Sequence, residues 1–313
     1  MKGKDLLSIC DLTRKDVDAL IDDAIHAKGR GWSSVLNGKV LTLLFEKPSL
    51  RTRVSFEVAM RQVGGECIYL SPAEVGLGKR ESVPDVARVL GRYADCLAIR
   101  TFSHETLRIL ADYCRVPVVN ALSDLEHPCQ ALADMLTIYE KKGELEGLNL
   151  AFIGDGNNVA HSLMLCSALV GMNFRIASPQ GYVVTPGILD TARKYAARNG
   201  SSILCTEDPA EAVRDADVVY TDVWTSMGQE AEAESRRLAF NGFQVNGEVF
   251  SRAKEDAIFM HDLPAHRGEE VTDDVIDGLQ SVVFDQAENR MHIVKALLVR
   301  MLGGLSRPLV NFR

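Results

Sequence analysis

Apolar residues run along this chain in short unbroken blocks. Each block is cut off by glycine, proline or a polar cluster and is followed by a stretch with helical spacing. Val40-Leu41-Thr42-Leu43-Leu44-Phe45 stops before Pro48, and from Leu50 the apolar positions return as Leu50, Val54 and Val58, with Phe56 and Val63. The same alternation predicts strands at 67–70, 96–100 and 116–120, and helices at 83–93 and 104–114. Ahead of them, Val17, Leu20, Ile21 and Ile25 predict a helix over residues 5–30. From Gly147 the pattern restarts: a turn glycine, the apolar run Leu148 to Ile153, a polar loop, then a helix. Further strands are expected at 174–177, 203–205, 217–220, 258–260 and 282–284, and Glu288-Asn289-Arg290 is expected to open the last helix.

Strands alternating with helices imply parallel sheets covered on both faces. The fold class expected is α/β: two doubly wound parallel-sheet domains with an interdomain cleft. The boundary falls in a helix over residues 130–142. It divides the chain into 1–135 and 136–313, with the last helix, about 287–313, packing back on the first domain. In such sheets ligands bind beyond the carboxyl ends of strands. Every polar motif below follows a strand.

Composition narrows the function. At 313 residues, 46% hydrophobic and 25% charged, the chain is an ordinary globular one of two-domain length. A net charge of −8 argues against a nucleic-acid partner. No apolar run reaches membrane-spanning length, and the first residues lack the apolar core of a secretion signal. Seven scattered cysteines with no Cys-x-x-Cys pair fit reduced thiols in the cytoplasm and argue against structural zinc.

The chemistry starts at Phe45-Glu46-Lys47-Pro48-Ser49-Leu50-Arg51-Thr52-Arg53. Ser49 stands at a helix N-cap, and Arg51 and Thr52 lie in the first turn. Free backbone N–H groups and the positive helix end favour an anion there, so added hydroxyls and a guanidinium make a phosphate cradle. Arg53 reads as a structural ion-pair partner. Arg100 ends a strand. His127-Pro128-Cys129-Gln130 opens a helix, with Gln130 one turn after His127. A neutral His, a Gln and an Arg suit a developing carbonyl oxyanion. Gly154-Asp155-Gly156-Asn157-Asn158 hints at a dinucleotide loop. Val159 replaces the third glycine, however, and Ser178-Pro179 stands where an acidic ribose ligand belongs. The amides of Asn157 and Asn158 are better suited to an amino-acid zwitterion. Asp222 offers a carboxylate for an ammonium group, and Ser226, followed by Met227, offers a hydroxyl for a carboxylate. His261-Asp262-Leu263-Pro264 begins a polar loop whose His266, Glu269 and Glu270 lack metalloprotease spacing. Arg290 is placed to reach an anion.

Together and in order, these motifs resemble the aspartate/ornithine carbamoyltransferase family over essentially the whole chain, its ornithine-using branch most closely. The resemblance implies a transferase joining carbamoyl phosphate to L-ornithine, giving L-citrulline and phosphate in arginine metabolism. It implies a homotrimer or a multiple of it, and no metal or organic cofactor. The carbamoyl-phosphate contacts it implies fall on Ser49, Leu50, Arg51, Thr52, Arg100, His127, Gln130, Leu263 and Arg290. The ornithine contacts fall on Asn158, Asp222, Ser226 and Met227, and the catalytic set is Arg100, His127 and Asp262. Three positions depart from the family pattern: Leu50 where Thr is usual, Gly76 where Gln is frequent, and Asp262 where the ornithine enzymes carry Cys. Asp262 is expected to replace the thiol as polar partner of the reacting amine, and the segment 226–246 to close over bound substrate. The alternatives are transfer to putrescine, lysine or an N-acylated ornithine, a nicotinamide-dependent oxidoreductase, and a non-catalytic sensor on the same scaffold.

Overall fold

The computed structural model describes residues 1–78, 80–226 and 228–303. The chain separates into two compact units: Met1–Leu132 together with the segment from Arg290 onward, and Ala133–Asn289.

In the first unit, strands β1 (Val40–Phe45), β2 (Glu66–Leu70), β3 (Cys96–Arg100) and β4 (Val118–Leu122) form a parallel sheet in the order β2-β1-β3-β4. β3 is buried along its whole length, as a continuous apolar run in a two-sided parallel sheet requires. The helices are α1 (Arg14–Arg30), α2 (Leu50–Gln62), α3 (Pro72–Val75), α4 (Val83–Tyr93), α5 (His104–Tyr113) and α6 (Pro128–Lys142), the last crossing the unit boundary. Short polar side chains start several of them. Thr13 and Asp16 form a capping box at α1, Ser49 caps α2, and Ser82 caps α4. The helix expected over 5–30 begins only at Arg14, after a 3-10 turn over Ile9–Asp11. β4 begins at Val118, two residues later than expected, because Pro117 has no N–H for the ladder.

The second unit holds β5 (Asn149–Ile153), β6 (Asn173–Ala177), β7 (Ile203–Thr206), β8 (Val218–Thr221) and β9 (Ile258–Met260), all parallel, in the order β7-β6-β5-β8-β9. Its helices are α7 (Asn158–Val170), α8 (Pro186–Asn199), α9 (Pro209–Val213), α10 (Ala233–Ala239), α11 (Gly247–Phe250) and α12 (Asp273–Ile276). Helix α13 (Val283–Leu302) starts here and runs on into the first unit's sequence.

The strand expected at 282–284 is not one. The Val282 amide donates to Phe259 at 3.0 Å, and its carbonyl then accepts from Gln286 at 2.9 Å, so one rung beside β9 leads straight into α13. A three-residue apolar run does not distinguish the two states. Arg290 therefore sits seven residues into α13 rather than at its opening.

The chain order of neighbouring strands reverses between β1 and β3 in one sheet and between β5 and β8 in the other. Such switch points open a crevice at the carboxyl ends of the strands. All seven cysteines are free, and burial pushes the Cys67 and Cys129 thiols up to about 12. Among the described residues no helix is long and apolar enough to cross a membrane.

Candidate functional site

In the first unit the register of β1 on β3 sets Phe45 beside Arg100, and the Glu46 amide donates to the Arg100 carbonyl at 2.8 Å. The loop entering α2 therefore starts next to Arg100. Ser49 caps α2 and donates its hydroxyl to Thr52 Oγ1 at 2.9 Å. Thr52 is buried, and its Oγ1 also accepts from Arg100 Nη1 at 3.4 Å and from Arg290 Nη2 at 2.8 Å. Arg290 Nη1 donates to Gln130 Oε1 at 2.8 Å, and Nη2 meets His127 Nε2 at 3.0 Å. Arginine only donates, so His127 accepts at Nε2 and its ring proton sits on Nδ1. Burial, then the charges of Arg290, Arg100 and Lys47, hold His127 well below the usual histidine range, so the ring is neutral. The structure thus gathers Ser49, Thr52, Arg100, His127, Gln130 and Arg290 in one place. Arg51 is half-buried in the first turn of α2, and Leu50 beside it is exposed. Arg53 pairs with Glu57 at 2.8 Å and lies 3.8 Å over the Tyr69 ring, the structural partnership expected for it.

In the second unit three strand ends contribute. After β5, Asn157 caps α7 through the amides of Val159 (2.9 Å) and Ala160 (3.1 Å), while its Nδ2 donates to Asp222 Oδ2 at 2.7 Å. Asn158 is the first residue of α7. Asp222 follows β8, is buried, and also accepts from the Val223 amide at 2.7 Å. After β9, His261 accepts the Leu263 amide at Nδ1 (2.9 Å), which places its ring proton on Nε2, facing Glu270 at 3.2 Å. The side chains of Asp222, His261 and Asp262 offer atoms within 4.8 Å of one another. Burial first, then the Asp262 charge, raises the Asp222 carboxyl well above the usual range. Leu263 has a left-handed backbone (φ 59) and precedes a cis proline. Ser226 is half-buried, with its amide donating to Gln229 at 3.1 Å. Met227 lies outside the described residues.

The segment 226–246 is not a simple loop. It contains α10, and buried Arg236 ties it down by donating to Asp155 Oδ2 at 2.7 Å and to the Trp224 carbonyl at 2.9 Å. The glycine pair after β5 also has a local reason. A Cβ on Gly156 would stand 2.4 Å from the Val184 nitrogen and 2.5 Å from the Val183 carbonyl carbon. The backbone of residues 182–184 leaves no room there, so Gly156→Ala is expected to cost about 1–3 kcal/mol and lower the thermal midpoint by several degrees in a melting experiment.

Sequence reasoning missed two contributors, Lys47 and His261, and one contact of a third. Lys47 packs over Phe102 at 4.8 Å, and its charge acts on His127. Its signal was its place in the loop between β1 and α2. Asn157, expected to meet the zwitterion, has a second part that the sequence did not show: it holds Asp222. His261 fixes the turn that carries Asp262 and Leu263, and its own amide is anchored on Gln286 at 2.9 Å. No local pattern marks that role.

Two family descriptions match the chain: "Aspartate/ornithine carbamoyltransferase, carbamoyl-P binding domain" over residues 4–140, and "Aspartate/ornithine carbamoyltransferase, Asp/Orn binding domain" over residues 146–301. The chain is 52% identical over 306 residues to a protein of Anoxybacillus flavithermus named ornithine carbamoyltransferase, covering 96% of this chain and 98% of that one. Among solved structures it resembles ornithine carbamoyltransferase from Pyrococcus furiosus, with TM-score 0.94, 50% identity, and 97% and 99% of the two chains covered. The Thermus thermophilus structure of the same name gives TM-score 0.88, 47% identity, and 96% and 100% covered.

Proposed function

The chain belongs to the aspartate/ornithine carbamoyltransferase family, and from that premise we propose that it transfers the carbamoyl group of carbamoyl phosphate to the side-chain amine of L-ornithine, releasing L-citrulline and phosphate. The observation that carries this reading is the buried convergence of Arg290 and Arg100 on Thr52, beside a neutral His127 and the capped start of α2.

The first unit holds carbamoyl phosphate. A phosphate arriving at the N-terminus of α2 meets Ser49, Arg51, Thr52 and backbone amides, including that of exposed Leu50. Arg290 is held by three protein acceptors and exchanges them for phosphate oxygens when carbamoyl phosphate binds. That exchange frees Thr52, Gln130 and His127 to act on the carbonyl together with Arg100. Once Arg290 no longer meets Nε2, the neutral imidazole can take its other tautomer, its proton moving from Nδ1 to Nε2, and present that N–H to the developing oxyanion. The amine attacks the carbonyl carbon, the C–O bond to phosphate breaks, and the arginines take up the leaving charge.

The second unit holds the amino acid. Asp222 takes the α-ammonium group, with Asn158, Ser226 and Met227 around the rest of ornithine. Asp262 faces the reacting amine as its proton acceptor, and Leu263 offers backbone to the carbamoyl group. The reading includes a homotrimer in the cytoplasm. It also includes the synthetic direction, toward arginine, in line with the Pyrococcus furiosus relative, 50% identical, whose name carries "anabolic".

A colorimetric citrulline assay with both substrates tests the whole reading, and absence of product overturns it. An amine panel tests the substrate. Ornithine is expected to be turned over at least about a hundredfold better than N-acetylornithine, whose amide leaves Asp222 without its cation. Putrescine or lysine matching ornithine would move the assignment to another amine.

A further inference from the structure

β9 is an edge strand of the second unit's sheet, with a single rung beside it at Phe259 among the described residues. Its outward amides therefore need other acceptors. The Ile258 amide points inward, to the Asp217 carbonyl at 3.1 Å, and the Phe259 amide outward, to the Gln280 carbonyl at 2.9 Å. Two residues on, the His261 amide faces outward again. It meets a side chain, Gln286 Oε1 of α13, at 2.9 Å. Asp262 and Leu263 follow directly, so this contact stands at the root of the turn that carries both.

The Gln286 carboxamide cannot turn round. A backbone N–H only donates, so the atom facing His261 is the oxygen. The nitrogen at the other end uses both hydrogens, on Asp134 Oδ1 at 2.8 Å and on the Tyr220 hydroxyl at 3.0 Å. Tyr220 in turn donates to Asp134 Oδ2 at 3.3 Å, which closes a ring of three side chains from α6, β8 and α13. All three are fully buried, and the Tyr220 ring stacks on Phe152 with centroids 5.6 Å apart. Burial, then the charges of Asp134, Asp262 and Asp222, hold the Tyr220 phenol well above its usual range, so it keeps the proton it donates. Glutamate at 286 would set a second carboxylate against Asp134, and methionine would leave the His261 amide unmet. A simpler account makes Gln286 a strut that only satisfies an edge amide. At Phe259 backbone alone does that. At His261 the acceptor is a side chain locked from two further elements, one residue before Asp262.

We propose that Gln286 is a positioning residue for carbamoyl transfer. Held by Asp134 and Tyr220, it fixes the His261 amide and so the place of Asp262 beside the reacting amine. The inference rests on the reading above, in which Asp262 takes the proton of that amine. Asp262 has Asp222, His261 and Tyr220 as titratable neighbours, with Glu270 beyond His261. Gln286 adds no charge to this group. Removing it moves a pH–rate profile by moving Asp262, not by changing the charge nearby.

The test uses the full chain and citrulline formation from both substrates across pH. Gln286→Met keeps the volume and removes both ends of the link. It is expected to lower kcat about tenfold or more, the scale of a small displacement of a reacting group. It should also move the acidic limb of the ornithine pH–rate profile down by about half a unit, as the carboxylate draws away from the amine. In an Asp262→Cys background the same substitution should leave the limb where it is, because the group it positions is gone. Tyr220→Phe removes one hydroxyl and should move the limb the same way by less, and it provides the reading if Gln286→Met does not fold. A strut alone would lower the melting temperature and leave the limb in place. An unmoved limb in the folded variant, or equal shifts with and without Asp262, would overturn the proposal. No citrulline from the unsubstituted protein, or an unmoved limb in Asp262→Cys alone, would remove the reading it rests on and the proposal with it.

Discussion

Replacing Arg290 by methionine is expected to lower kcat/KM for carbamoyl phosphate by on the order of 10²–10³-fold, the loss seen when one preorganised donor to a developing charge is removed. The guanidinium reaches Gln130 and Thr52 at 2.8 Å and His127 at 3.0 Å, three acceptors in three directions. Only a planar fork does this. Arg290→Lys keeps the charge but reaches one acceptor at a time, so it is expected to recover little. The methionine variant also takes one donor each from Thr52, Gln130 and His127, at about 1–3 kcal/mol for any buried group that this leaves unsatisfied. Circular dichroism should therefore confirm a folded protein before rates are compared. Initial rates with carbamoyl phosphate varied and ornithine saturating give the measurement. A methionine variant within threefold of the unsubstituted enzyme would remove Arg290 from the phosphate site.

The sequence revealed the strand ends for a physical reason. A parallel strand buried on both faces must be an apolar block, and the chain must leave it through a polar turn, so Phe45, Arg100 and Ile153 mark their own boundaries. It concealed whatever depends on register. That Arg100 lies beside the start of the Ser49 loop follows from the pairing of Phe45 with Arg100. That Asp222 meets Asp262 follows from β8 lying beside β9, with Tyr220 opposite Met260. Neither adjacency leaves a local mark. Arg290 was legible as an anion ligand but not in its position, because Val282, Val283 and Phe284 suit a strand or a helix equally. The Gly154-x-Gly156 pair shows the opposite error. Its nucleotide-like look has a packing cause, since the backbone of Tyr182 to Val184 crosses directly over Gly156.

The Asp222–Asp262 pair leads to the second large effect. Burial and the Asp262 charge raise Asp222, so this carboxyl keeps its proton to higher pH than an exposed aspartate does. A group raised in the folded state stabilises the protein while protonated, and that contribution is lost as pH rises through the raised value. The empty protein should accordingly lose thermal stability as pH climbs from the ordinary aspartate range toward neutrality. Binding a cationic amine should release the proton. In Asp262→Cys the like charge is gone, because a thiol with pKa near 8.5 is neutral at pH 7. The melting temperature of the empty variant should then fall less with pH. The same substitution acts on the substrate. An amine beside a carboxylate holds its proton more tightly. Removing Asp262 should therefore move the acidic limb of the ornithine pH–rate profile down by about one unit, equivalent to about 1.4 kcal/mol, while KM for ornithine rises roughly tenfold by the same charge argument. Rates over the neutral and alkaline range, with melting curves at matching pH, measure both effects. A limb that stays in place would show that Asp262 does not face the reacting amine. A limb that moves while the melting slope is unchanged would place Asp262 by the amine but separate it from Asp222.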